Sequence, residues 1–110
     1  MHLRSLQLDI RVAEVYETYA SFKQLVRAGG QHDLPSFHLY TDDGPPPAIS
    51  GSSDPNSAWL DSWRGRVRTD EVSLVGHSFG GGTLLHLLST SPPKGFARLP
   101  VKRAVALDPW

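Results

Sequence analysis

The first 28 residues carry a hydrophobic pattern of helical period. Apolar side chains recur at steps of three and four and form one stripe, made of Leu8, Val12, Val15, Tyr19, Phe22 and Val26. Charged residues such as Arg11 and Glu14 are compatible with a solvated face. Gly29 and Gly30 follow, as glycine often does past a helix C-terminus. The pattern predicts one helix over residues 3–28 that packs on a sheet; a membrane-surface role is less favoured because the polar face is mixed in sign.

The last third of the chain predicts a strand, a helix and a second strand. Residues 72–76 are a short apolar run that reads as a strand, and a leucine-rich helix runs on to about Thr90, where Ser91 and two prolines end it. The predicted buried stripe of this helix is Gly81, Leu84, Leu85 and Leu88. Residues 101–107 read as a second strand that stops at Asp108. The 36 residues from 72 to 107 suit a right-handed βαβ unit with parallel strands.

The middle of the chain carries weaker signals. Residues 31–41 are ambiguous, with a possible short strand at 36–41 that has no clear pairing partner. Residues 42–57 are rich in proline, glycine and serine and predict a flexible surface loop. A short helix capped by Asn56 or Ser57 is expected over 58–63, with Trp59 and Trp63 packing on one face.

Composition limits the possible classes of protein. The 110 residues suit one small domain, 1–110, and 11 Lys and Arg balance 11 Asp and Glu, which argues against nucleic-acid binding. There is no cysteine, and no window approaches the ~18 apolar residues of a membrane-spanning helix. Asp9, Arg11 and Glu14 interrupt any signal-peptide core, so cytoplasmic is the default location, while contact with a membrane surface stays open.

The segment from Gly76 to Gly80 reads Gly-x-Ser-x-Gly between the predicted strand and helix. That context is typical of a nucleophile elbow, a strained turn that raises a serine above the sheet. Ser78 is the candidate nucleophile. Gly76 and Gly80 are expected to lie so close together that neither position could hold a side chain. The Phe79 backbone N–H is a candidate oxyanion donor. A merely structural turn is the alternative; a phosphate loop is disfavoured because Gly82 stands where its lysine would be.

A nucleophilic serine needs a base and an orienting carboxylate. Asp108 is the best-placed carboxylate, although an Asp-Pro pair also simply ends strands. All five histidines precede Asp108, whereas in the hydrolase order the base follows the acid. His77 adjoins Ser78 and is expected to point away from it, and His86 lies about 12 Å further along the helix axis. The solvated or capping role is favoured for His32 and His38.

The motif Gly-His-Ser-Phe-Gly-Gly at 76–81, with Leu-Asp-Pro-Trp at 107–110, resembles the platelet-activating factor acetylhydrolase family, α/β-hydrolases of the group VII phospholipase A2 type. The resemblance is strongest over residues 70–110. It implies a partial α/β-hydrolase fold, with Ser78 as nucleophile, Asp108 as triad acid and the Phe79 N–H as one oxyanion donor. The implied reaction is hydrolysis of a short sn-2 acyl ester of a phospholipid through an acyl-serine, without metal or cofactor.

The resemblance also implies a triad histidine after Asp108 and a second oxyanion donor before residue 1, neither of which has a counterpart in the sequence. In a serine protease, loss of the triad histidine costs on the order of a million-fold in kcat. We therefore expect the polypeptide alone to hydrolyse esters barely above background. The alternatives are another α/β-hydrolase, such as a dienelactone hydrolase-like or polyester-cleaving enzyme, an inactive fragment that acts as a binding module, and a nucleotide-binding protein.

Overall fold

The computed structural model describes residues 2–28 and 62–109. The ambiguous segment at 31–41, the predicted loop at 42–57 and the first four residues of the predicted helix at 58–63 lie outside the described residues. The prediction of one domain over residues 1–110 stays a prediction. Among the described residues, neither helix contains an apolar stretch of membrane-spanning length.

Helix α1 spans His2–Ala28, which confirms the predicted N-terminal helix. Every member of the predicted stripe is buried or half-buried, and Arg11 and Glu14 form an exposed ion pair of 2.8 Å. Tyr16 and Leu25 are also buried, although the stripe omitted them. The omission has a physical reason: other apolar residues, including Leu3, Leu6 and Ile10, are exposed, so the helix is not sorted cleanly into two faces.

Strands β1 (Val72–His77) and β2 (Val101–Leu107) pair in parallel. Helix α2 (Phe79–Ser89) lies between them in the sequence. The predicted strand–helix–strand order and parallel pairing are therefore confirmed. Opposite His77 in the register lies Leu107, so both strands end at the same level. The described fold is a small α/β arrangement of two parallel strands and two helices.

A compact unit formed by Met1–Tyr19 and Thr69–Trp110 contains a hydrophobic core. Its buried members are Val12, Tyr16, Leu87 and Leu99. Tyr16 is only 2% exposed, and its ring meets Phe96 edge-to-face with centroids 5.8 Å apart. The Tyr19 hydroxyl donates a 2.6 Å hydrogen bond to the Thr69 carbonyl. These contacts attach the N-terminal part of α1 to the segments that flank β1 and β2.

The inward face of α2 differs from the predicted stripe. Gly81, Thr83, Leu84 and Leu87 are buried, whereas Leu85 and Leu88 are 53% and 44% exposed, so the prediction was wrong for these two leucines. Consecutive residues are rotated by about 100° around a helix with 3.6 residues per turn. A continuous Leu-Leu pattern therefore permits more than one inward face, and the core around Leu87 selects between them.

The second compact unit is Ala20–Arg68. Among its described residues, Leu25 and Val26 are buried, and the Phe22 ring meets Trp63 edge-to-face at 6.3 Å. Packing by Trp63 is thus confirmed. Ser62 and Trp63 belong to a turn rather than to a helix, and Gly65 has a φ of 75° within it. The Arg66 N–H donates a 3.0 Å hydrogen bond to the Trp63 carbonyl, three residues earlier, which closes a turn and not an α-helical step of four residues. The helix predicted at Trp63 is therefore absent there.

Candidate active site

Ser78 occupies the turn between β1 and α2. Its φ of 57° and ψ of −118° lie in a region that non-glycine residues rarely adopt, at a cost of about 1–3 kcal/mol. Two backbone hydrogen bonds hold it there: its N–H donates to the Leu107 carbonyl at 2.9 Å, and its carbonyl accepts from the Gly82 N–H at 3.1 Å. The Ser78 side chain makes no capping bond to the helix. The strained serine is therefore held by its backbone, and its hydroxyl takes no part in capping.

The glycines of the motif have unequal roles. A Cβ on Gly76 would clash with the Gly80 carbonyl oxygen and lie 2.8 Å from the Gly81 nitrogen, so residue 76 must lack a side chain. A Cβ on Gly80 would meet no heavy atom within 4 Å. The expectation that both glycines must lack side chains was thus right for Gly76 and wrong for Gly80, because what crowds position 76 is the backbone at position 80.

Asp108 follows β2 just as Ser78 follows β1. Because His77 and Leu107 are paired, Ser78 and Asp108 are the first residues beyond two adjacent parallel strands, which lie about 4.8 Å apart in a typical sheet. Asp108 is exposed and has a φ of 47°, so it also bends in the left-handed region. The structure brings the two predicted residues to the same edge of the sheet, where open α/β sheets place their sites.

The first turn of α2 adjoins Ser78. Phe79 is the first residue of this helix, and N–H groups of a first turn point away from the helix body and carry partial positive charge. The Thr83 hydroxyl is buried and donates a 2.9 Å hydrogen bond to the Phe79 carbonyl, one turn earlier. This bond and the one from Gly82 to Ser78 stabilise the backbone that directs the Phe79 N–H.

Three of the five histidines lie among the described residues. His86 on α2 is 2.7 Å from the Asp9 carboxylate on α1, so its imidazole is engaged away from the Ser78 turn. His77 is exposed at the end of β1, and His2 begins α1. His32 and His38 lie outside the described residues. Across residues 2–28 and 62–109, no group of three or more His, Cys, Asp or Glu is arranged to hold a metal ion.

Sequence reasoning missed two features of this region. The Asp9–His86 pair joins residues 77 positions apart, and no local pattern signals such a partner. The crowding of Gly81 is the other omission, because a Cβ on this residue would lie 3.1 Å from the Pro109 Cα that follows the second strand. The run of three glycines at 80–82 and the predicted burial of Gly81 were signals, but they do not show that Pro109 is the residue against it.

The whole chain, residues 1–110, matches the family model described as "Platelet-activating factor acetylhydrolase, isoform II". No curated protein matches the chain, and no solved structure does. The match covers the N-terminal helix as well as the motif at 76–81, and therefore agrees with the resemblance inferred from Ser78 and Asp108. The chain belongs to the platelet-activating factor acetylhydrolase isoform II family.

Proposed function

We propose that the protein is a serine ester hydrolase that cleaves a short acyl ester at the sn-2 position of a phospholipid. Membership of the family supports phospholipid ester hydrolysis. The single observation that supports a serine mechanism is Ser78, held at a strained strand-to-helix turn beside the strand that ends at Asp108. We further propose that these elements are part of an α/β-hydrolase fold in one domain over residues 1–110.

In the proposed reaction the Ser78 oxygen attacks the ester carbonyl carbon while its proton passes to a base. The resulting tetrahedral oxyanion accepts a hydrogen bond from the Phe79 N–H, and loss of one such donor costs about 10²–10³ in kcat. Collapse of the oxyanion breaks the bond to the sn-2 oxygen, which takes up the proton and leaves as lysophospholipid. Water then hydrolyses the acyl-serine and releases the short carboxylic acid.

Asp108 has the role of orienting carboxylate in this proposal. A carboxylate that accepts a hydrogen bond from an imidazole fixes its tautomer and stabilises its protonated form. The proposal assigns the base to none of the described histidines, since His86 is paired with Asp9 and His77 lies on the strand before the serine. Imidazole added to the solution provides a proton acceptor for Ser78 regardless of where the protein's own base resides.

The test is acetyl transfer from a phospholipid that carries a thioacetyl group at sn-2, with and without added imidazole. The released thiol can be measured with a thiol reagent without interference from protein thiols, because the chain contains no cysteine, and imidazole without protein gives the blank rate. We expect slow release that imidazole accelerates, and acetylated Ser78 in the peptide mass spectrum. Ser78→Ala should lower thiol release to the rate of imidazole without protein, and it should remove the acetylated Ser78 peptide.

Ser73→Ala provides the matched control, because Ser73 is an exposed serine on β1. Its release and acetylation should equal those of the parent chain. Equal rates in the parent and Ser78→Ala, or acetylation of a residue other than Ser78, would refute the proposed nucleophile. Release from long-chain or non-phospholipid esters in preference to the sn-2 acetyl ester would instead favour another α/β-hydrolase activity.

A further inference from the structure

Gly81 lies where the chain beyond β2 crosses the first turn of α2. A Cβ built on this buried residue would be 3.1 Å from the Pro109 Cα and 3.2 Å from its Cβ, closer than side-chain carbons normally approach. It would also lie 3.3 Å from the Gly76 carbonyl oxygen. The missing side chain of Gly81 therefore lets the segment after β2 rest directly on the helix that starts at Ser78.

Pro109 transmits this contact to the preceding residue. The proline ring fixes its own φ and restricts the backbone of the residue before it. That residue is Asp108, which already bends at a φ of 47°. A displacement of Pro109 away from α2 must therefore be absorbed largely by the Asp108 backbone, and its carboxylate moves with it.

We propose that Gly81 is a positioning residue that places the Asp108 carboxylate relative to Ser78 through its contact with Pro109. The inference rests on the proposed function, in which Asp108 orients the proton acceptor. It differs from a general packing role, because a packing role would affect stability and would not depend on the presence of the Asp108 carboxylate.

The chain offers a matched control in the same helical turn. Gly80 neighbours Gly81, and a Cβ there would meet nothing within 4 Å. Gly80→Ala and Gly81→Ala thus make the same chemical change in the same helix, and both gain the intrinsic helix preference of alanine. Only the second introduces a contact with Pro109.

The experiment compares the imidazole-dependent rate of Ser78 acetylation in Gly81→Ala, Gly80→Ala, Asp108→Asn and the double variant Gly81→Ala/Asp108→Asn. A misplacement of about 1 Å can cost ~10²-fold in rate, so a shift of a few tenths of an ångström in Gly81→Ala should lower the rate about fourfold. Gly80→Ala should keep a higher rate than Gly81→Ala, because its Cβ would meet no heavy atom within 4 Å. Because Gly81 acts through Asp108, adding Gly81→Ala to Asp108→Asn should lower the rate no further.

Each outcome bears on a distinct claim. If Ser78→Ala keeps the full rate, the proposed function fails. If Asp108→Asn keeps it, the proposed acid fails and the role of Gly81 fails with it. Two outcomes would refute the positioning role alone, when Ser78→Ala and Asp108→Asn both lower the acetylation rate. In the first, Gly81→Ala and Gly80→Ala have the same rate. In the second, Gly81→Ala lowers the rate by the same factor with and without Asp108→Asn.

A second variant tests the contact should Gly81→Ala not fold. Pro109→Ala leaves the Cβ near Gly81 but frees the φ of residue 109, and Pro109 is exposed, so the core is unaffected. We expect its imidazole-dependent rate to fall severalfold, with no further loss when Asp108→Asn is added. A rate equal to that of the parent would overturn the proposal.

Discussion

The imidazole Nε2 of His86 lies 2.7 Å from the carboxylate Oδ1 of Asp9, and this pair joins α2 to α1. The His86 side chain is 21% exposed, whereas that of Asp9 is 63% exposed, so the pair lies at the margin of the core. The contact between His86 and Asp9 has two consequences. It connects the helix that begins at Ser78 to the N-terminal helix, and it gives His86 a structural role.

His86→Gln should lower the free energy of unfolding by up to about 1 kcal/mol, the central value for one side-chain hydrogen bond. Acetylation of Ser78 should be unchanged, because His86 faces Asp9. Urea unfolding and the thiol-release assay measure the two effects. Arg11→Gln removes an exposed pair within one helix and should cost only about 0.3 kcal/mol. Loss of acetylation in His86→Gln would contradict the structural role.

Tyr16 should be the most costly truncation in the described core. Its side chain is 2% exposed and contacts the Phe96 ring, and its hydroxyl accepts a long 3.5 Å hydrogen bond from the Leu99 N–H. Tyr16→Ala should destabilise by about 3–5 kcal/mol, as buried aromatic truncations do, and Tyr16→Phe by about 1 kcal/mol or less.

Urea unfolding of the two Tyr16 variants can be compared with Leu6→Ala, since Leu6 is 56% exposed on the same helix. Leu6→Ala should change stability by no more than about 0.5 kcal/mol. Equal losses in Tyr16→Ala and Leu6→Ala would show that the cluster around Tyr16 is not the core of this unit.

The two motif glycines should respond in opposite directions to alanine. Gly76→Ala forces a carbon against the Gly80 carbonyl and should destabilise the protein by several kcal/mol, or prevent folding. Gly80→Ala enters open space on a helix and should stabilise by up to about 1 kcal/mol. Thermal unfolding followed by circular dichroism distinguishes the two. Comparable destabilisation by both would restore the symmetric requirement that the motif suggests.

Ser78→Gly should be more stable than Ser78→Ala. Serine and alanine both bear the strain of a φ of 57°, about 1–3 kcal/mol, whereas glycine adopts this φ freely but loses about 0.5–1 kcal/mol through chain entropy. The expected net gain is about 1 kcal/mol in urea unfolding. Both variants should be unable to accept the acetyl group. A Ser78→Gly variant no more stable than Ser78→Ala would show that the turn is not strained.

The larger elements of the described fold follow from local sequence. Helix α1, both strands and the parallel pairing appear where the periodicity and the Gly-x-Ser-x-Gly motif predict them. Ser78 and Asp108 could be placed at the same edge because each follows a predicted strand of one βαβ unit. Their roles as nucleophile and acid remain proposals, which rest on the motif and the family together.

Other details could not be read from the pattern, and they share one property: each depends on a distant partner. Leu85 and Leu88 face outward because Leu84 and Leu87 already face the core. Gly81 is crowded because Pro109, 28 residues later, lies against it. The predicted stripe of α2 contains Gly81 and not Gly80, but only the packing shows that Pro109 lies against Gly81.

Local sequence is enough to place the described helices and strands and the serine that follows the first strand, since backbone hydrogen bonding and side-chain period act over a few residues. Three features depend on long-range packing: the buried face of α2, the contact of Gly81 with Pro109 and the pairing of His86 with Asp9. These features depend on close packing between segments far apart in the chain, where a methyl group or a rotation of one residue changes the contact.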